Sequence, residues 1–285
     1  MLNKTIKRPV LRYHGGKWML APWILSFFPK HRTYVEPFGG GGSILMRKSR
    51  TYAEVYNDQW DIVVNVFQVL RDPDLAKELA RQLHLTPFSR TEFNKCGDVD
   101  IREILDPVEK ARRTILRSFA GFGSAATNAE HSTGFRAKSR LSGSTPAQDW
   151  TNFPKHIELF TERLRGVVIE NKDYLEVIHQ HDNKDTLYYI DPPYLHRTRN
   201  MKRGNAAYAH ELSDEDHVVL CEELNKLKGM VIVSGYQNDI YKEKLQDRGW
   251  KLEKKEALAD GGRKRVECLW LNPQVVAASG QLSFL

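Results

Sequence analysis

Five short runs of apolar, β-rich residues, each broken off by a polar or glycine-rich stretch, constrain the fold of this chain more than any other feature. They are TYVEPFGGGG from Thr33, AEVYND from Ala53, GVVIENKD from Gly166, TLYYIDPPY from Thr186 and GMVIVSGY from Gly229. None alternates strictly, which is the pattern of strands covered on both faces in a parallel sheet. Helix-like segments stand between or after several of them: WDIVVNVFQVLRD, EDHVVLCEELNKLK and NDIYKEKLQDRG. The last opens on an asparagine cap and stops at Gly249. WKLEKKEALA and RVECLWLN flank a DGGRK turn and predict an antiparallel hairpin at the sheet edge. The fold class is therefore α/β.

Residues 73–154 break this pattern. DLAKELARQLHL and VEKARRTILRSF read as helices, followed by GFGSAATNAEHSTGFRAKSRLSGS, rich in Gly, Ser and Arg. Loops of that length in a compact domain call for a reason. The expected division is a sheet domain of residues 1–72 and 155–285, with 73–154 set into it as a helical insertion carrying a long loop or hairpin.

The chain has 285 residues and a formal net charge of +7, which suits a polyanionic partner. KARRTILR, FRAKSR, HRTRNMKR and GGRKR are separate basic clusters interleaved with aromatic or glycine residues. Any one of them is ordinary surface charge; together they suit a groove that tracks phosphates. No apolar run is long enough to span a bilayer, and MLNKTIKRPVLRY has no apolar core like that of a signal peptide. A cytoplasmic chain without a membrane partner is expected. Cys96, Cys221 and Cys268 lack CxxC spacing and read as reduced packing residues, so no metal is expected.

Ligands of parallel α/β sheets bind at the carboxyl ends of strands. Glu36, Asp58, Asp173 and Asp191 stand at such ends. Each alone reads as a helix cap or loop carboxylate. Together, beside the Gly39-Gly40-Gly41-Gly42 loop, they suggest a nucleoside-like ligand, because glycines admit close backbone approach and a carboxylate after the second strand can bond ribose hydroxyls. The loop is neither GxGxxG nor followed by Lys-Ser/Thr, so it is not a phosphate cradle. An acidic residue directly before it would repel pyrophosphate. A cationic ligand fits better, and S-adenosyl-L-methionine is one.

RYHGGK (Arg12 to Lys17), YVEPFGGGGS, EVYNDQW, Asp173-Tyr174 and IDPPY, in that order, resemble the Dam-like, D12 class N6-adenine-specific DNA methyltransferases of phage and prophage type, over roughly Arg8 to Pro273. The resemblance implies a Rossmann-like S-adenosylmethionine-dependent methyltransferase sheet with a C-terminal antiparallel hairpin, residues 73–154 being a helical target-recognition insertion. It implies that Glu36, Pro37, Phe38 and Gly40 line the cofactor site and that Asp58 holds the ribose hydroxyls. Asp173 and the backbone of Tyr174 would bond the cofactor's adenine. Tyr13 and Lys17 would close over its methionine end or touch the target base. Tyr13 stands where some relatives have tryptophan, and Gly39 where many have a larger residue.

For the strand ending in Asp191, Pro192, Pro193 and Tyr194, the chemistry is amine methylation. The lone pair of adenine N6 is delocalised into the ring. Two acceptors against its hydrogens, the Asp191 carboxylate (which also borders the cofactor) and the Pro192 carbonyl, favour a pyramidal nitrogen with a localised lone pair. Successive prolines hold both oxygens rigidly. Tyr194 offers a face to a base extruded from double-stranded DNA. Arg112, Arg113 and Arg117 are expected at phosphates, Asn128, Arg136, Lys138 and Arg140 at base edges, and Arg197 and Arg199 at phosphate beside the extruded base. The tail Gln281 to Leu285, QLSFL, resembles the QLSLF peptide that docks on bacterial sliding clamps, with its last two residues exchanged; local packing of the tail is the simpler reading. A homodimer is compatible with the sequence. Rival readings are a cytosine-N4 methyltransferase, against which Asp191 argues mildly, an RNA-adenine methyltransferase, and a catalytically idle DNA-binding homologue.

Overall fold

A computed structural model describes residues 6–121, 134–137, 145–198, 210–258 and 264–280. In chain order the first elements are α1 (Ala21–Leu25), β1 (Thr33–Glu36), α2 (Ser43–Arg47), β2 (Ala53–Asn57) and α3 (Asp61–Arg71). There follow α4 (Pro73–Leu85), α5 (Arg90–Lys95), α6 (Pro107–Ala120), α7 (Pro146–Asn152) and α8 (Ile157–Leu164). The remainder are β3 (Val167–Glu170), α9 (Tyr174–Gln180), β4 (Thr186–Ile190), α10 (Asp214–Leu224), β5 (Met230–Gly235), α11 (Asp239–Lys244), β6 (Lys251–Leu258), β7 (Lys264–Leu271) and α12 (Pro273–Gly280).

The five runs singled out in the sequence become β1 to β5. The sheet has seven strands in the order β3-β2-β1-β4-β5-β7-β6. β2, β1, β4 and β5 run parallel, whereas β7 pairs antiparallel with β5 and with β6, so the expected hairpin closes the sheet at that edge. This is the α/β, Rossmann-like sheet anticipated from the sequence. β4 (TLYYI) and β5 (MVIVSG) are buried along their whole length, which is why neither alternates. Among the described residues no helix is long and apolar enough to cross a membrane.

The chain forms two compact units. One comprises Met1–Trp18, Gly40–Arg47 and Trp60–Ile169; the other comprises Met19–Gly39, Lys48–Gln59 and Glu170–Leu285. In the second, Val35, Val55, Tyr188, Ile190, Val231 and Val233 of the sheet pack with Val177 and Ile178 of α9 and Leu220 and Leu224 of α10. Each fully buried Val, Leu or Ile contributes roughly 1.5–3 kcal/mol relative to exposure. The asparagine cap of α11 is present: Asn238 Oδ1 accepts from Tyr241 N at 2.8 Å. The helix itself is shorter than its pattern, ending at Lys244 before a 3-10 turn over Gln246–Arg248 and a left-handed Gly249.

The first unit is helical. α3 buries Ile62, Val63, Val64, Val66, Phe67, Val69 and Leu70, most of its circumference, as a central helix must. α4 and α6 start where Asp72 and Asp106 cap them ahead of Pro73 and Pro107. Arg8 lies against the rings of Phe119 and Phe153 at 4.8 and 4.7 Å and donates to the Asp149 carbonyl at 2.9 Å. Beyond α6, Gly121 and Phe135 make an isolated antiparallel bridge.

Candidate active site

The carboxyl ends of the strands in the sheet unit carry the polar residues. Glu36 ends β1, Asp58 follows β2, Asp173 lies three residues beyond β3, and Asp191 follows β4. Glu36 is 2 % exposed and accepts from the Tyr34 hydroxyl at 3.0 Å. Burial and the neighbouring Glu36 charge push the Tyr34 phenol well up, so it stays a donor. Pro37 is buried and Phe38 half-buried. The Phe38 ring lies 4.8 Å from that of Tyr174. The Tyr174 hydroxyl is pushed up to about 12, by burial first and the Asp173 charge second. Asp173 is also the cap of α9, its Oδ1 accepting from Leu175 N at 2.8 Å, so the ordinary structural reading and the ligand reading coexist in one carboxylate. Asp58 is half-buried, and its carbonyl accepts from Asn171 at 2.8 Å.

Asn57 binds this region together and was not among the residues expected there. Wholly buried, it donates from Nδ2 to the carbonyls of Pro37 at 2.9 Å and Lys172 at 3.1 Å, and accepts from Lys172 N at 2.9 Å. Its own carbonyl takes Gly39 N at 2.7 Å. One side chain thus ties the turn after β1 to the turn after β3. The position of Asn57, directly before Asp58 and at the last residue of a buried strand, was the available signal. At Gly39 the space is filled from the side: a Cβ there would run into the Tyr56 ring. The volume belongs to tyrosine instead.

Gly40 belongs to the helical unit, as do Tyr13 and Lys17. Lys17 is buried and donates to the Gly15 carbonyl at 2.6 Å. Tyr13 packs over Gly40, whose φ is +47°, and a Cβ on Gly40 would meet the Tyr13 ring at 2.8 Å. Gly40→Ala therefore combines a left-handed backbone with a steric conflict. It is expected to destabilise by about 2 kcal/mol, lowering the apparent Tm by about 4–8 °C. In thermal melts Tyr13→Ala should recover part of that loss, since it relieves the contact and not the backbone strain.

At the end of β4, Asp191 is half-buried and Pro192 buried. The Asp191 Oδ1 accepts from the Ser234 hydroxyl at 2.5 Å, and Ser234 Oγ accepts from Tyr189 Oη at 3.1 Å. Tyr194 is 8 % exposed rather than open. Its hydroxyl donates to Glu267 Oε2 at 3.1 Å, and its ring meets Tyr236 edge-on at 4.6 Å. Tyr194 and Tyr236, with Leu195, Thr198, His217 and Tyr241, line a small cleft. Neither Ser234 nor Glu267 was anticipated. Ser234 stands within the quoted GMVIVSGY run, but only strand pairing shows which residue it faces.

The expected DNA-contacting residues divide. Arg112 and Arg113 both hold Glu109 at 2.6 Å, and these arginines, Arg112 foremost, keep the Glu109 carboxyl below the usual range. Arg117 is 7 % exposed and donates to the Cys96 carbonyl at 3.4 Å. Arg136 donates to the Phe119 carbonyl at 2.9 Å. Arg197 is half-exposed, 3.3 Å from Asp214 and 3.6 Å from Asp239. Asn128, Lys138, Arg140, Arg199 and the tail Gln281 to Leu285 lie outside the described residues.

Comparison with known proteins gives two kinds of match. A family model described as D12 class N6 adenine-specific DNA methyltransferase matches residues 13–258. Modification methylase LlaI of Lactococcus lactis subsp. lactis is 23 % identical over 206 residues, 72 % of this chain and 32 % of that protein. Type II methyltransferase M.MjaIII of Methanocaldococcus jannaschii is 21 % identical over 249 residues, 77 % of this chain and 80 % of that one. The chain thus spans about a third of the first relative and most of the second.

Proposed function

Because the chain belongs to the D12 class N6 adenine-specific DNA methyltransferase family, we propose that it methylates N6 of adenine in double-stranded DNA with S-adenosyl-L-methionine as donor. The observation that carries this reading is Asp191-Pro192-Pro193-Tyr194 directly after a fully buried parallel strand, with one Asp191 oxygen anchored by Ser234.

The donor suits the groups at the strand ends. Glu36, Asp58 and Asp173 are carboxylates and Phe38 with Tyr174 is a ring pair, a set that favours a cationic nucleoside over a phosphate. Asp58 would hold the ribose hydroxyls, and Asp173 with the Tyr174 backbone the adenine ring. When bound, S-adenosyl-L-methionine supplies an electrophilic methyl group on its sulfonium. The chain's own part is to orient and polarise the acceptor. The Asp191 carboxylate and the Pro192 carbonyl accept from the two N6 hydrogens, drawing the lone pair out of conjugation and opposing the positive charge that grows on nitrogen. Tyr194, its hydroxyl held by Glu267 and its edge by Tyr236, would form one wall for the extruded base. The proton released after transfer leaves to Asp191 or to water. Arg197 is proposed to contact phosphate beside that base, since exposed ion pairs such as its contacts to Asp214 and Asp239 are weak and exchangeable.

The test is to incubate the chain with duplex DNA and methyl-labelled donor, digest the DNA and identify the modified nucleoside. N6-methyladenine is the expected product. N4-methylcytosine alone would overturn the adenine assignment. Donor binding without transfer to any duplex would favour an idle homologue.

A further inference from the structure

β4 and β5 pair in parallel with Tyr189 opposite Ile232 and Ile190 opposite Val233. One residue further, that register sets Asp191 beside Ser234. In a strand, residues two apart share a face, and side chains paired across parallel strands point the same way. Tyr189, Asp191 and Ser234 therefore meet on one face at the end of the sheet.

The hydrogen bonds run in one direction. A carboxylate only accepts, so Ser234 gives its proton to Asp191 Oδ1, a hydrogen bond assisted by the carboxylate charge. Ser234 Oγ can then accept from Tyr189 Oη. Burial and the Asp191 charge push the Tyr189 phenol well up, so Tyr189 remains a donor. Tyr189 and Ser234 are each 1 % exposed, out of reach of bulk solvent as an alternative partner.

We propose that Ser234, oriented by Tyr189, is a positioning residue that fixes the plane of the Asp191 carboxylate against the amine to be methylated. The inference rests on the adenine-methylating reading above and adds to it the device that aims its acceptor. With Oδ1 held, the carboxylate no longer rotates freely about its Cβ–Cγ bond, and its angle to the amine is set before substrate arrives. A misaimed acceptor costs rate in the transition state more than it costs binding.

The test uses the full chain with Ser234→Ala, Ser234→Thr and Tyr189→Phe, none of which introduces a charge. Ser234→Ala is expected to lower kcat by about 10- to 100-fold, the range for losing a hydrogen bond to a charged group. KM for DNA and the donor dissociation constant should stay within about twofold, because the effect lies in the transition state. Tyr189→Phe, one bond removed from the carboxylate, should lose about three- to tenfold. Ser234→Thr, which keeps the hydroxyl on a residue suited to strands, should recover most of the rate. In crystals of Ser234→Ala the Asp191 carboxylate should leave its wild-type plane. Unchanged kcat in Ser234→Ala, or a loss confined to KM, overturns the positioning role. A wild-type chain that methylates no DNA overturns the functional reading instead, and the carboxylate plane in those crystals then decides the relay: if it does not turn, the relay is overturned too.

Discussion

Asp191→Ala is expected to reduce methyl transfer by about 10³-fold or more while the chain still binds its donor. The acceptor matters most as charge develops on the amine, so its removal falls on kcat rather than on affinity. Alanine also strips the Ser234 hydroxyl of its acceptor in a buried place, and an unsatisfied buried donor costs about 1–3 kcal/mol. A stability effect of that size alone could be mistaken for a catalytic one. Asp191→Asn separates the two. Its amide oxygen can still take the Ser234 proton, so the fold should melt close to wild type. The charge is gone, however, and an NH₂ group competes for the position facing the substrate amine. Asparagine should therefore be as inactive as alanine, within about tenfold, and nearly as stable as aspartate. Single-turnover kinetics with calorimetric donor binding on both variants would read this. Near-normal turnover in either one would remove Asp191 from the mechanism.

The second large effect is expected at Asn57. Asn57→Ala takes this partner from the Pro37 carbonyl, in a buried place, and from the Lys172 carbonyl and amide, in a half-buried one. The loss should be about 2–4 kcal/mol, or about 5–12 °C in apparent Tm. Asn57→Asp is the sharper case. It has the same shape, yet it replaces two donated hydrogens with a carboxylate facing two carbonyl oxygens. It should be at least as damaging as alanine. Because Pro37 adjoins Glu36 and Phe38, and Lys172 adjoins Asp173, donor affinity should fall by about tenfold in either variant even at temperatures where the fold persists. Wild-type melting together with wild-type donor affinity in Asn57→Ala would refute the role assigned to it.

Much of the sheet was legible because buried parallel strands leave a plain trace: short apolar runs without alternation, each stopped by residues that cannot continue a strand. The carboxylates at their ends were legible for the same reason, since a strand's end locates its neighbour in the sheet. Asn57 and Ser234 were visible as letters and not as contacts. Their partners lie 20, 115 and 43 residues away in the chain, and no local pattern encodes such pairings. Tyr194 shows the complementary limit. Its place in the motif was clear, but its burial follows from Tyr236, just after the neighbouring parallel strand β5, and from Glu267 on β7, which the antiparallel edge brings near it. The arginines of α6 were legible as charge and not as contacts: Arg112 and Arg113 hold Glu109, and Arg117 donates to the Cys96 carbonyl, within the helical unit.

The interleaving of the two units has a consequence for how the protein is made. The chain passes from one to the other after Trp18, Gly39, Arg47, Gln59 and Ile169, and one of those passages divides the glycine tetrad. Neither unit is a continuous stretch: the segments of the first are all made by Ile169, whereas the second draws its remaining strands from beyond that point. β1, in the middle of the sheet, must wait for β4, some 150 residues later, before its second edge is covered. Until then its flank is an open template, and chaperone dependence during synthesis, rather than intrinsic instability of the finished molecule, is where a low yield of this protein should originate.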